Sequence, residues 1–193
     1  MDLQTHPYRS VLYIPGSKER ALDKARNLPV GAISFDLEAA VAPDATASAR
    51  DSLADMIGPD MPIWTMMETP ASVFNAREIA AHRQVTGLVT GTNDLTKELG
   101  CRFRPDRMPL LQSLQMIVMA ARASRGVVAI DGVYNKFRDG DGLKTECEHG
   151  RDLGFDGKTL IHPDQIAVTN TAFAPTQSEI DMARRQIDSF EES

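Results

Sequence analysis

Cysteine is nearly absent from this chain: two among 193 residues, Cys101 and Cys147, neither with a partner at zinc-ligand spacing. That excludes a disulfide framework and a thiolate zinc site, and leaves both thiols as buried or incidental groups. Positive charge is also short, with 21 Lys and Arg against 27 Asp and Glu and a formal net charge of −6. Broad, sequence-independent binding to nucleic acid or to an anionic membrane needs the opposite balance; a local basic cluster that holds an anion stays open. No apolar run approaches the length that crosses a bilayer. The stretch Met1-Asp2-Leu3-Gln4-Thr5-His6-Pro7 has neither the basic start nor the apolar core of a signal peptide, so a cytoplasmic protein is expected. Repeats, low-complexity tracts and linkers are missing as well, which leaves one domain as the expectation for a chain of this length.

What is present is an alternation. Apolar runs rich in β-branched residues predict strands near Ser10–Pro15, Ala32–Leu37, Ile63–Met67, Gly87–Thr90, Val127–Ile130 and Thr159–Ile161. Helical patterns separate them. Ser17–Asn27 opens on a capping residue and carries Ala21, Leu22 and Ala25 on one face, and Thr69-Pro70 places a cap before a proline at the first helical position. Pro109–Ser124 repeats Leu110, Leu114, Ile117, Val118 and Ala121 at helical spacing, and Leu143–Leu153 ends before Gly154. A last helix opens on the capping box Thr176-Gln177-Ser178-Glu179 and repeats Ile180, Ala183, Ile187 and Phe190. Met66, Met67, Met116 and Met119 read as packing residues. Strands alternating with helices imply a mostly parallel sheet with right-handed crossovers. Periodicity does not decide between an open sheet and a closed barrel; six strands are legible where a (β/α)₈ barrel needs eight and typically takes roughly 250 residues.

Two acids stand at the C-terminal ends of successive strand-like runs: Glu68 in Met66-Met67-Glu68-Thr69-Pro70, and Asp94 in Gly91-Thr92-Asn93-Asp94-Leu95. In an α/β fold both positions open on the crevice where such folds place their chemistry. One or two carboxylates are how proteins usually hold Mg²⁺, with water and substrate oxygens completing its shell, so this pair suits a metal that also grips a substrate. The alternative is that both acids only complement helix dipoles.

The ordered series Arg9-Ser10-Val11-Leu12-Tyr13-Ile14-Pro15-Gly16, Phe35-Asp36-Leu37-Glu38, Met67-Glu68-Thr69 and Asn93-Asp94-Leu95 resembles the citrate lyase β-subunit-like family, which includes malyl-CoA and citramalyl-CoA lyases. It continues through Ile130-Asp131-Gly132-Val133-Tyr134, Phe137-Arg138-Asp139, Gly154-Phe155-Asp156-Gly157-Lys158 and Ile161-His162-Pro163-Asp164-Gln165, covering nearly the whole chain. The resemblance implies a (β/α)₈ TIM-barrel-like fold and a cytoplasmic homo-oligomer, a trimer or hexamer. The activity it implies is Mg²⁺-dependent carbon–carbon cleavage or formation between an acyl-CoA and a 2-oxo acid. It places the metal, Mg²⁺ with Mn²⁺ as substitute, on Glu68 and Asp94, puts Asp36 and Glu38 around it as orienting acids, and counts Asp36, Glu38 and Glu68 as catalytic. It assigns the CoA thioester to Tyr13, Arg20, Lys24, Ile130 and Asp131. Arg20 and Lys24, four apart, share a helix face on which phosphates fit, although that spacing also describes a solvated face. His162, before Pro163 at a strand end, is expected to be structural.

The chain departs from the family in three places. Ala39 stands where a further acid is usual, and near 52–54 two βα units are absent, one of which carries an arginine that grips the oxo acid's carboxylate. The C-terminal lid with an acidic catalytic residue that the resemblance leads one to expect is not legible in the residues up to Phe190-Glu191-Glu192-Ser193. Two further functions therefore stand beside the lyase: a metal-dependent 2-oxo acid aldolase that does without CoA, and a catalytically impaired homologue kept as a binding or assembly subunit.

Overall fold

The computed structural model describes residues 7–15, 28–36 and 62–191. Six strands form one sheet: β1 (Ser10–Pro15), β2 (Ala32–Asp36), β3 (Ile63–Met67), β4 (Val85–Thr90), β5 (Val128–Asp131) and β6 (Gly157–Leu160). Every pairing is parallel and the order is β2-β1-β6-β5-β4-β3, so the last strand in sequence pairs with the first. The expected α/β class with a parallel sheet is what the chain adopts. The eight-stranded closed barrel is not what the described residues form: β2 and β3, consecutive in this set, are the two edges of a six-stranded arc.

The arc curls. In a flat sheet β1 and β3 would lie four strand spacings apart, roughly 19 Å. Yet the Tyr13 hydroxyl on β1 donates to Sδ of Met66 on β3 at 3.4 Å, and the Tyr8 and Trp64 rings meet edge to face at 5.0 Å. Strand alternation then sorts the side chains. Val11, Val89 and Ile130 pack on the concave face with Trp64, Ala32 and Val128 against them. Their neighbours Met67, Leu88 and Ala129 point outward into the larger core that the helices cover.

Those helices are α1 (Pro70–Phe74), α2 (Ala76–Ala80), α3 (Thr92–Glu98), α4 (Leu111–Arg122), α5 (Gly140–Asp152), α6 (Ile166–Ala172) and α7 (Gln177–Glu191). Their starts follow capping chemistry. Thr69 and Ser72 satisfy each other's backbone N–H groups at 3.1 and 3.2 Å with Pro70 at the first position, and Thr176 and Glu179 do the same for α7. Asp139 caps α5 by accepting from the Gly142 N–H at 2.9 Å, which starts that helix three residues before the Leu143 its apolar pattern suggested. Gly140 and Gly142 are poor helix formers and hide this first turn from propensity. Gly154, at φ 97°, closes the end of α5 in the left-handed region. The apolar stripe of α7 is uncovered, with Ile187 and Phe190 exposed. Of the four methionines expected to be packing residues, Met67 is buried and Met116 half-buried, whereas Met66 and Met119 are exposed.

Behind β5 and β6 lies a buried ion cluster that no periodicity announces. Asp131, fully buried at the end of β5, accepts from Arg107 Nη1 at 2.7 Å through both oxygens and from Lys158 Nζ at 3.1 Å. Lys158, fully buried on β6, also meets Glu146 of α5 at 2.7 Å. His149 Nδ1 takes the other side of the Arg107 guanidinium, 3.2 Å from its Nε. Two cations and two anions cancel, so the ring is a neutral sum of charges that would each be costly alone. Burial alone would raise the Asp131 pKa, but Lys158 and Arg107 hold it below the usual carboxylate range. Burial works against the Lys158 ammonium too, and Asp131 with Glu146 holds its pKa above the ordinary value. This ring explains why β6 starts at Gly157 rather than Thr159: a lysine reads as loop until its partners are known.

Replacing Lys158 with Met strands two buried carboxylates on one guanidinium and is expected to cost about 3–5 kcal/mol of unfolding free energy in urea titration, against less than about 1 kcal/mol for Arg122→Ala at the surface pair with Asp156. Burial, with the Arg107 charge, holds the His149 pKa below its usual value of 6.5. The unfolded chain therefore binds the proton first, and stability should fall as pH drops through 6.5 toward the lower folded value. Comparing urea unfolding at about pH 7.5 and about pH 5 tests this; His149→Gln should remove that part of the loss.

Candidate functional site

The C-terminal ends of the parallel strands define one face of the arc, and there the concave alternation carries past β3. Trp64, Met66 and Glu68 share a side, which places Glu68 at the rim of the concave face. The opposite strand end supplies the space. A Cβ at Gly91, which follows β4, would lie 2.5 Å from Cβ and 2.8 Å from Oε2 of Glu68, and 3.3 Å from Cε of Met66. Gly91 is therefore a cradle for the Glu68 side chain. Its N–H binds the Met67 carbonyl at 3.1 Å, which ties the two strand ends together.

Asp94 sits in the first turn of α3, exposed, four residues beyond Thr90, which pairs with Met67. The two acids thus come from neighbouring strand ends. Tyr13, on the concave face of β1, reaches across the opening to Met66 beside Glu68. Among the described residues no group of three or more His, Cys, Asp or Glu assembles. Two hard oxygen donors leave most of an octahedral shell to water and substrate, which fits Mg²⁺ rather than a metal needing a full protein cage.

Other expected site residues fall elsewhere. Asp36 closes β2 opposite Pro15 of β1 in the register, and its side chain, with Glu38, Arg20 and Lys24, lies outside the described residues. Ile130 and Asp131 are both fully buried. Ile130 is fully buried in the concave cluster with Val11 and Val89, and Asp131, one residue on, points outward into the ion cluster with Arg107 and Lys158. Alternation sends consecutive strand residues to opposite faces, and here neither face offers the side chain to a ligand.

Three features of this rim were not legible as site chemistry. Asn93 and Asn135 exchange amide hydrogen bonds at 2.8 and 3.2 Å, clasping the start of α3 to the loop after β5. On that loop Phe137 stacks on His162 with centroids 4.8 Å apart, and the Arg138 guanidinium lies 5.3 Å from the Phe137 centroid. His162 itself takes the Asp164 N–H on Nδ1 at 3.2 Å, capping the turn Pro163–Gln165. Partners 42 residues apart leave no local signal, although the Phe137-Arg138-Asp139 motif marked the place.

Residues 58–163 match the family model described as HpcH/HpaI aldolase/citrate lyase. A (3S)-malyl-CoA thioesterase of Cereibacter sphaeroides is 47% identical over an alignment covering 98% of this chain and 85% of the relative. That alignment runs over 245 residues against 193 in this chain, so the relative carries residues opposite gaps here. The citrate lyase subunit beta of Escherichia coli K12 is 38% identical, over 65% of this chain and 41% of its own length. In fold, the chain resembles a Mycobacterium tuberculosis protein solved with magnesium, acetoacetate and coenzyme A, at TM-score 0.76 and 23% identity, covering 98% of this chain and 89% of that one.

Gly91→Ala should force the Glu68 side chain from its cradle. The expected cost is about 1–3 kcal/mol in urea unfolding, and the double variant Gly91→Ala/Glu68→Ala should regain part of it, because the clash is with that side chain.

Proposed function

The chain belongs to the HpcH/HpaI aldolase/citrate lyase family, and from that premise we propose that it is a Mg²⁺-dependent enzyme acting on a malyl-CoA-type thioester, whose thioester bond it hydrolyses. The observation that carries the reading is the 47% identity to a (3S)-malyl-CoA thioesterase across nearly the whole chain. It moves the scissile bond from the carbon–carbon bond expected at first to the thioester, while keeping the substrate class and the metal. The second reading is that carbon–carbon cleavage, favoured by the match to the aldolase/citrate lyase model and to citrate lyase subunit beta.

Glu68 and Asp94 would hold the cation. When bound, Mg²⁺ supplies Lewis-acid polarisation of the substrate's oxygens and lowers the pKa of coordinated water. Gly91 keeps the Glu68 carboxylate pressed to the rim, so the first ligand is set before metal arrives. Tyr13, bridging to Met66, narrows the opening beside Glu68 and helps exclude bulk water from the thioester. Asp36 and Glu38 are proposed to orient water near the metal, and Arg20 and Lys24 to meet the CoA phosphates. Hydrolysis adds one water across the thioester, giving malate and the free CoA thiol. Cleavage instead removes the hydroxyl proton, breaks the adjacent carbon–carbon bond and protonates the resulting thioester enolate, giving acetyl-CoA and glyoxylate.

Incubating the chain with (3S)-malyl-CoA and Mg²⁺ separates these outcomes by product: free thiol with malate supports hydrolysis, acetyl-CoA with glyoxylate supports the lyase, and neither product sinks both. Calorimetry adds the metal. Glu68→Ala and Asp94→Ala should each weaken Mg²⁺ binding by at least the roughly 10–100-fold that even supporting residues of metal sites cost. Unchanged Mg²⁺ affinity in both variants would remove this pair as the site.

A further inference from the structure

The loop between β5 and α5 carries two cations that the reading above does not use. Lys136 and Arg138 are both exposed, flank Phe137, and line with Asn135 and Asp139 an open cleft of about 580 Å³. Neither makes a salt bridge among the described residues, although the Lys136 charge helps to hold the Asp139 carboxyl below its usual range. Asp139 is already occupied, accepting from the Tyr134 hydroxyl at 2.7 Å and from the Gly142 N–H at 2.9 Å.

The loop is also braced. Phe137 stacks on His162, whose own ring is fixed by capping the turn after β6, and Arg138 lies over the Phe137 ring. A guanidinium against an aromatic face loses part of its freedom before any ligand arrives, while keeping its N–H donors available. At its other end the loop is clasped to α3 through Asn135 and Asn93, the neighbour of Asp94. A ligand held by Lys136 and Arg138 is therefore held on the same rim as Glu68 and Asp94. In a chain of net charge −6 such a cluster is a local exception that draws anions specifically to this rim.

We propose that Lys136 and Arg138 form an anion subsite for the phosphate groups of the CoA nucleotide, in addition to the contacts proposed for Arg20 and Lys24, with the Phe137–His162 stack as its rigid backing. The assignment rests on the CoA-thioester reading of the site. A diphosphate fits the chemistry: a planar fork takes two phosphate oxygens, and an ammonium adds a point charge beside it. Because the cleft is open, the contribution is strongest at low ionic strength and shrinks as salt screens it.

The test is calorimetry of the full chain with CoA, pantetheine and inorganic pyrophosphate, at about 20 mM and about 500 mM salt, where the Debye length differs several-fold. The double variant Lys136→Ala/Arg138→Ala should weaken CoA about tenfold at low salt, the scale expected for two exposed charge contacts, and much less at high salt. Pantetheine, which lacks the phosphates, should bind the variant as it binds the parent. Arg125→Ala, an exposed charge before β5 and so at the other end of that strand, is the control and should leave CoA affinity unchanged. CoA affinity equal in parent and double variant at low salt overturns the proposal, as does an equal loss for pantetheine. If the parent binds pyrophosphate but not CoA, and the double variant loses the pyrophosphate, the anion subsite stands and the CoA reading falls. If the parent binds neither, the subsite falls too.

Discussion

The molecule depends on the neutral ring of Arg107, Asp131, Lys158 and Glu146. It joins the loop before α4, the end of β5, the middle of β6 and the inner face of α5 in one set of contacts between 2.7 and 3.1 Å. Hydrophobic burial would hold these elements together in many relative positions, since it has no direction. Charge-assisted hydrogen bonds in a dry interior do not allow that latitude. Arg107 is held at φ 52°, a left-handed conformation that a side chain with a Cβ rarely adopts, and its guanidinium is the part of the residue that the ring requires.

From that ring the site inherits its geometry. Asp131 points outward, so Gly132 on the concave side can approach closely: a Cβ there would lie 2.5 Å from the Thr92 hydroxyl at the start of α3. The next residues turn into the loop that Asn135 clasps to Asn93. The metal-ligand candidate Asp94 is thus placed through a chain of short contacts that begins in a buried ion pair, on a helix of only seven residues. Glu68 is placed by different means, by a glycine opposite it. Two candidate ligands brought to neighbouring strand ends by unrelated devices would suit a cation whose remaining shell belongs to substrate and water.

The open arc has its own consequence. A parallel sheet leaves unpaired N–H and C=O groups along each edge, and β2 and β3 are both edges here. Among the described residues the arc nonetheless curls, with Tyr13 meeting Met66 and Tyr8 meeting Trp64 across its concave side.

The amino-acid order by itself determined the alternation of strand and helix, the parallel sheet, the caps at Thr69 and Thr176, the left-handed turn at Gly154 and the position of Glu68 and Asp94 after successive strands. All of these are local: a period of two or 3.6, or a capping group three residues from its partner, is legible without the rest of the molecule. Tertiary structure alone decided the face on which each strand-end residue lies. Ile130 and Asp131 stand together in the sequence as one candidate ligand contact, yet one fills the concave core and the other completes an ion ring. Lys158 reads as loop and is buried strand, because its neutralising partners lie 12 and 27 residues away. The sign of a strand residue's burial is set by the curl of the whole sheet, and the cost of a buried charge by groups distant in the chain, so neither can be read from a window of neighbours.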